Sequence, residues 1–296
     1  MFAVFQQIAP LILAGLATLL LLYLFIRYKN STPKKKVPKD TVLIYGVGRG
    51  VAAPSGSPFP LKLETFCRMA NIPYMVDHSC KMSSKGKTPW MEYNGKAVAD
   101  SQFCIEHLKE QGCLDLDNDL EPSLKAQARA FREMVEENLY WTMCHELFIM
   151  HPERVARAIP YSGVKLWLAT LVLGRVIRKE LWGHGMGRHS DTQIWDIARR
   201  DLQALSAFLG EKNYFCGEEP HEVDCAMFGM LAQLYYHMPD SRHEQYMKEY
   251  VPNLVDFVER MRERYWPDWH ERCKGRNYVD DSCKLYLPKI SSSNTP

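Results

Sequence analysis

Ser57-Pro58, Thr88-Pro89 and Asp100-Ser101 are the points where this chain sets chemistry-bearing side chains at the starts of elements. Serine is a strong helix N-cap, and proline is preorganised at the first helical position, so Ser57-Pro58 opens a helix. A hydroxyl there stands at the positive end of the helix dipole and can donate to an anion such as a thiolate. Asp100-Ser101 opens a second helix. Its carboxylate can pair with an ammonium group, while Ser101 and the helix N–H groups face a carboxylate. Both residue types are also among the best caps, so plain helix capping is the competing reading. Pro60 occupies the place where a C-x-x-C motif would put its second thiol. A serine supports conjugation through a ligand's thiolate, but not thiol–disulfide exchange, which needs a sulfur nucleophile.

The surrounding elements can be read from pattern. Thr41 to Val47 (TVLIYGV) is apolar and β-branched and reads as a buried strand. A Gly/Pro/Ser-rich loop leads to Ser57, after which Phe59, Leu63, Phe66 and Ala70 recur at helical spacing until Asn71-Ile72-Pro73 stops the element. Tyr74 to His78 forms the next strand. Asn94-Gly95 then joins two short strand-like runs as a hairpin signal. The helix from Asp100-Ser101 carries Phe103, Ile105 and Leu108 and ends near Gly112. The order β-α-β-hairpin-α is thioredoxin-like, and Thr88-Pro89 falls where that fold places a cis-proline. From Glu121 strand signals vanish. Helices are expected from Pro122 to the region of Phe148, over Val164 to Leu181, Asp191 to Leu209, Glu222 to His237 and Asn253 to Arg264. The run from Leu166 reads as a buried helix, too short to cross a bilayer. The glycine-spaced segment Gly183 to Ser190 predicts positive φ or a close backbone approach, or a glycine stop followed by a Ser190 cap. The fold class is α/β plus all-α, preceded by one membrane helix.

The chain has 296 residues, 46% hydrophobic and 24% charged, with 17 Gly, 17 Pro and nine Cys. These values exclude collagenous, disulfide-framework and wholly disordered proteins. Six cations and no Asp or Glu precede Asp40, so the +2 of the whole chain leaves −4 for residues 40–296. That mildly acidic body gives no electrostatic support for nucleic-acid binding. Residues 8–26 (IAPLILAGLATLLLLYLFI) carry no charge over nineteen positions, the length a helix needs to span roughly 30 Å of hydrocarbon. A cleaved signal peptide would want a basic stretch before this run, and there is none. The basic flank on its C-terminal side predicts a single-pass anchor with the folded part in the cytosol. An odd cysteine count without C-x-x-C fits reduced thiols there.

A thioredoxin-like domain followed by an all-helical one resembles glutathione transferases. In that resemblance Ser57 stands at the catalytic position, Thr88 and Pro89 form the cis-proline loop, and Asp100 and Ser101 take the γ-glutamyl end of glutathione. His221 stands at the cap of a Ser/Thr-x-x-Asp box, with Asp224 in register. The chain more closely resembles the failed axon connections family, relatives of metaxins and nematode cadmium-resistance proteins. The resemblance is carried by Ser57-Pro58-Phe59 with Leu61 to Thr65, Pro89-Trp90 with Glu92-Tyr93-Asn94, Met134 to Glu137 with Tyr140-Trp141-Thr142, Gly183-His184-Gly185 with Gly187-Arg188, and Trp266-Pro267 with Trp269-His270. It implies a binding or interaction role in axon development or metal and stress tolerance. The alternative is a membrane-bound glutathione transferase in which Ser57 assists the thiolate. Glutathione is the one ligand implied, and no cofactor is certain.

The implied boundaries are a short N-terminus (1–7), an anchor in the lipid bilayer (8–26), a basic linker (27–40), a thioredoxin-like domain (41–113), a helical domain (120–272) and a polar tail (273–296). A protein partner is expected on the helical domain, with Trp266, Trp269, Tyr235 and Tyr236 as candidate contacts. His221, Cys225, Cys216, His270, Cys273 and Cys283 lack zinc-site spacing, so no metal site is expected. Cys67, Cys104 and Cys144 read as small core residues.

Overall fold

The computed structural model describes Leu20, Tyr23 and residues 37–155, 163–273 and 281–287. It divides into two units, Met1–Pro38 and Lys39–Pro296. The expected span over residues 8–26 lies outside the described residues apart from Leu20 and Tyr23, which are helical and exposed. Among the described residues no helix is long and apolar enough to cross a membrane.

In the second unit, β1 (Val42–Tyr45) is buried along its whole length because it lies between two other strands. It pairs in parallel with β2 (Tyr74–Asp77), reached through helix α1 (Pro58–Met69), and antiparallel with β3 (Trp90–Tyr93). β4 (Lys96–Ala99) returns beside β3, giving the order β2-β1-β3-β4. The hairpin forms where Asn94-Gly95 predicts it, with both residues at positive φ, 47° and 84°, as a two-residue turn of right-handed twist requires. Helix α2 (Ser101–Glu110) completes the thioredoxin-like arrangement.

The helical part begins with α3 (Pro122–Glu133) and α4 (Tyr140–Cys144), continuous through π-helical Met134–Leu139 and followed by π-helical His145–Met150. Then come α5 (Gly163–His184), α6 (Asp191–Leu209), α7 (Glu222–Ala232) with a π-helical extension to His237, α8 (Arg242–Tyr250), α9 (Pro252–Tyr265) and α10 (Trp269–Arg272). Helix α8 is a departure from the sequence expectation, because RHEQYMKEY has little apolar periodicity. Its signal is the cap, where Ser241 Oγ accepts from the Glu244 N–H at 3.1 Å.

In the segment after residue 273, the Tyr286 N–H donates to Tyr74 O at 2.8 Å and the Cys283 N–H to Val76 O at 2.7 Å, so this part of the chain lines the outer edge of β2. One further expectation is corrected: the run from Leu166 is not buried, since α5 exposes Trp167 at 63%. At the glycine segment both readings hold. Gly185 has φ 106°, a Cβ on Gly187 would lie 2.9 Å from the backbone at Leu181 and Trp182, and Ser190 caps α6 in a capping box with Gln193.

Helix α1 lies between the sheet and α7 and is buried on nearly every face. A Cβ on Gly229 of α7 would stand 2.7 Å from Pro58 O and 3.3 Å from the Lys62 N, so only glycine lets the two helices approach this closely. The cores of the sheet layer and the helical layer merge across this contact.

Candidate functional site

The strand registers explain how three distant dipeptides come to one place. Tyr45 is opposite Asp77 on one side and Trp90 on the other, and Trp90 is opposite Ala99. This row closes the sheet, so the chain leaving β1 toward Ser57, the chain entering β3 through Thr88-Pro89, and the chain leaving β4 into Asp100-Ser101 share one end. The Thr88-Pro89 bond is cis, and the Asp100 N–H donates to Pro89 O at 3.3 Å. Tyr45 and Trp90, opposite each other in this last row, stack with ring centres 3.8 Å apart.

The residues differ in what their side chains already do. Asp100, at φ 92°, accepts from the Gln102 and Phe103 N–H groups through Oδ1, at 2.9 and 3.4 Å, so it is a working helix cap. Ser57 has the extended backbone of a cap residue, yet its hydroxyl makes no cap hydrogen bond. The Ser57 N–H is held by Ser55 Oγ at 3.2 Å. The half-buried Ser57 hydroxyl therefore stays available at the N-terminus of a twelve-residue helix. Ser101 is buried behind Asp100.

Several positioning residues were not anticipated from sequence. Lys62, 1% exposed on α1, donates from Nζ to Gln102 Oε1 at 2.8 Å and to Glu136 Oε1 at 2.6 Å. Gln102 Nε2 in turn donates to Glu222 Oε1 at 2.7 Å, and Lys109 Nζ to Glu222 Oε2 at 2.9 Å. Both helix N-termini are thus tied to α7 through one buried polar network. The loop before Ser57 is pinned as well. Gln233 Nε2 donates to Ser55 O at 3.2 Å, and the Ala53 N–H donates to His237 Nε2 at 3.0 Å. Since Nε2 accepts, His237 is the neutral tautomer with its proton on Nδ1, facing Gln233 Oε1 at 2.6 Å. A lysine flanked by Leu61 and Leu63 was the one local hint, because the other partners lie far away in sequence.

Burial pushes His237 down to about 4 from 6.5. The unfolded chain therefore takes up its proton first, and stability present above pH 6.5 is lost as pH falls toward 4. In the difference between the wild type and His237→Gln this amounts to about 2 kcal/mol by about pH 5. Urea unfolding of the two proteins near pH 7 and about pH 5 measures it. Asp201 and Asp224, raised to about 6 by burial, act oppositely in both proteins and cancel in the difference.

Asp224 is where the resemblance placed it. Its carboxylate accepts from the Phe215 N–H at 2.9 Å and the His221 N–H at 2.8 Å, fixing the start of α7. Asp224→Ala leaves two buried donors unmade and is expected to cost about 2 kcal/mol in a denaturant titration.

The aromatic contact candidates are packing residues instead. Trp266 and Trp269 are buried, with Nε1 donating to Thr65 Oγ1 at 3.0 Å and Ala52 O at 3.2 Å, and the Tyr236 hydroxyl donates to Glu259 Oε1 at 2.7 Å. Tyr235 is half-buried against Tyr236. Cys67, Cys104, Cys144 and Cys225 are buried, and burial raises all four thiols above the ordinary value. Among the described residues no three His, Cys, Asp or Glu side chains stand together as a metal set.

Profiles described as glutathione S-transferase N-terminal domain and glutathione S-transferase C-terminal domain match residues 58–154 and 198–261. Failed axon connections of Drosophila melanogaster is 32% identical over 83% of this chain, and the chain spans 63% of that protein's length. A metaxin-1 homolog of Caenorhabditis briggsae is 30% identical, with 76% of this chain and 73% of the homolog covered. An isoprene-epoxide–glutathione S-transferase of Rhodococcus sp. (strain AD45) is 29% identical over 76% of this chain and 99% of its own length. Among solved structures, a Ceriporiopsis subvermispora glutathione S-transferase in complex with glutathione superposes with a TM-score of 0.53 at 15% identity, covering 76% of this chain and 97% of its own. That likeness concerns the fold, which is glutathione-transferase-like with an N-terminal thioredoxin-like sheet and a C-terminal helical domain. On the strength of the relatives, the chain belongs to the failed axon connections family, glutathione-transferase-like proteins related to the metaxins.

Proposed function

We propose that this protein is held at a membrane by residues 8–26, presents its transferase-like body to the cytosol, and acts by binding, with glutathione as the ligand of the sheet end and a protein partner on the helical domain. One observation carries the ligand reading: the Ser57 hydroxyl is left uncommitted at the sheet end that also holds Thr88-Pro89 and Asp100-Ser101. In this reading Asp100 pairs with the α-ammonium of the peptide, Ser101 and the N-terminus of α2 face its carboxylate, the backbone beside Thr88 and Pro89 pairs with the cysteinyl amide, and Ser57 donates to the sulfur.

A second reading is turnover, in which the thiolate steadied by Ser57 attacks an electrophile. It is favoured by the same free hydroxyl and by the match along almost the full length of a relative named as a glutathione transferase. In that step the sulfur lone pair forms a carbon–sulfur bond as the electrophile's leaving bond breaks, and the thiol proton goes to solvent. The full chain in detergent is titrated calorimetrically with glutathione and assayed with a generic electrophile, beside Ser57→Ala. Binding without turnover supports the first reading, and turnover that falls at least tenfold in Ser57→Ala, about 1.4 kcal/mol, supports the second. No heat at millimolar glutathione removes both ligand assignments. Protease added to sealed membranes with the cytosolic face outside is expected to digest the folded body; protection would reverse the orientation.

A further inference from the structure

Helix α5 (Gly163–His184) shows solvent a face in two halves. In the first, Val164, Trp167, Leu168, Leu171 and Val172 recur at i, i+3, i+4, i+7 and i+8, the spacing of a single helical stripe, and each is between 41% and 73% exposed. The next turns of the same face carry Arg175, Arg178 and Lys179, all exposed, and Trp182 ends the row at 62%. Ile177 and Leu181, on the other side, are buried and seat the helix on the body. Single exposed apolar residues are ordinary, but a continuous stripe of five is a contact surface.

Its charge identifies the contact. By the helix's rotation of about 100° per residue, Glu180 falls on the far side, so this face of α5 holds three cations and no carboxylate. A second copy is a poor fit. A symmetric antiparallel pairing along the whole Val164–Trp182 face would set Arg175, Arg178 and Lys179 against the partner's Leu171, Leu168 and Trp167, desolvating three charges against hydrocarbon. A surface that is apolar below and anionic above fits both halves. The exposed Trp167 and Trp182 each add an apolar ring body with a polar N–H, a combination accommodated in the layer between acyl chains and headgroups. Arg188 adds a fourth cation beside this end, its guanidinium 5.6 Å from the Trp182 ring centre.

We propose that α5 is a docking helix for an anionic lipid bilayer, with its Val164–Val172 half set among the upper acyl chains and Arg175, Arg178 and Lys179 paired with lipid phosphates. This assignment is independent of the reading of residues 8–26. Alkaline extraction of membranes reports anchoring by that segment, whereas the quenching gained on anionic over neutral vesicles, and lost on substituting α5 residues, reports α5.

The full chain is mixed with vesicles of brominated phosphatidylcholine, with or without phosphatidylserine, and tryptophan emission is followed. Quenching is expected with phosphatidylserine present, and Trp167→Phe with Trp182→Phe removes most of it. Replacing Arg175, Arg178 and Lys179 by Gln weakens docking about a hundredfold and returns quenching to the level of neutral vesicles. All five positions are exposed, so an unchanged thermal midpoint confirms that the variants fold. The proposal is overturned if anionic vesicles give no quenching beyond neutral ones, or if the three Gln substitutions leave it unchanged. It is likewise overturned if Trp167 is shielded from aqueous acrylamide without lipid while crosslinks join the α5 helices of two copies, the sign of a protein interface.

Discussion

Arg49→Met is expected to remove about 3–5 kcal/mol of stability, the largest loss from any single substitution considered for this protein. Arg49 is buried in the loop between β1 and α1. Its Nη1 donates to Glu64 at 2.9 and 3.0 Å and to Pro54 O at 2.9 Å, while Nη2 and Nε donate to Asp281 at 2.9 and 3.2 Å. Burial opposes the charge on this guanidinium, yet Glu64 and Asp281 hold it above the ordinary arginine value. Asp281 keeps Arg272 at 2.7 Å when Arg49 is removed, but Glu64, 1% exposed, is left as a buried carboxylate without its ion-pair partner. Two measurements check the argument. Urea unfolding gives the loss for Arg49→Met. The pair Arg49→Met with Glu64→Met should then recover much of it, because the second change removes the stranded charge. Equal losses in the single and double variants would show that packing of the loop, and not the charge, sets the cost. Since Nη1 also holds Pro54 O three residues before Ser57, glutathione affinity is expected to fall in the single variant.

Gly229→Val should be nearly as severe, at about 3 kcal/mol or more, with Gly229→Ala losing about 1–3 kcal/mol. The obstructing atoms are backbone, Pro58 O at 2.7 Å and the Lys62 N at 3.3 Å, and neither can rotate away. The strain must therefore move the N-terminus of α1, which carries Ser57. The expected signature is joint loss of stability and of glutathione binding. Gly174→Ala in α5 is the control. Its nearest obstruction, Phe148 O, lies at an ordinary 3.7 Å, and better helix propensity should make it neutral or stabilising by up to about 1 kcal/mol. If Gly229→Ala behaves like Gly174→Ala, the close crossing of α1 and α7 has no energetic weight.

These two sites also mark the limit of what the sequence disclosed. Features written in adjacent residues were legible. Asn94-Gly95 specified the hairpin through the positive φ that both residues tolerate, Ser57-Pro58 placed the start of α1, and the element order identified the sheet topology. Ser57 and Asp100, indistinguishable as caps by residue type, are separated only by the hydrogen bonds of the folded protein, where Asp100 caps its helix and the Ser57 hydroxyl does not. Lys62, Arg49 and Gly229 were silent for a different reason. Each is explained by a partner supplied by another element: Glu136 for Lys62, Asp281 for Arg49, and the backbone of α1 for Gly229. The exposed face of α5 was misjudged because apolar content reports a tendency to leave water, not the surface that receives it.

The partnership of Arg49 with Asp281 bears on how the molecule is made. The guanidinium is emplaced near the beginning of the folded body, and one of its two carboxylates is added 232 positions later. The same late segment supplies the strand-like cover over the edge of β2, through Tyr286 and Cys283. On the ribosome, the nascent sheet must wait with a bare edge, and Arg49 with only one of its two carboxylates, until the whole helical layer has emerged. Ribosome-bound chains ending before and after this segment should therefore differ sharply in protease resistance. During that interval the unfinished sheet is the part of this protein most in need of a chaperone.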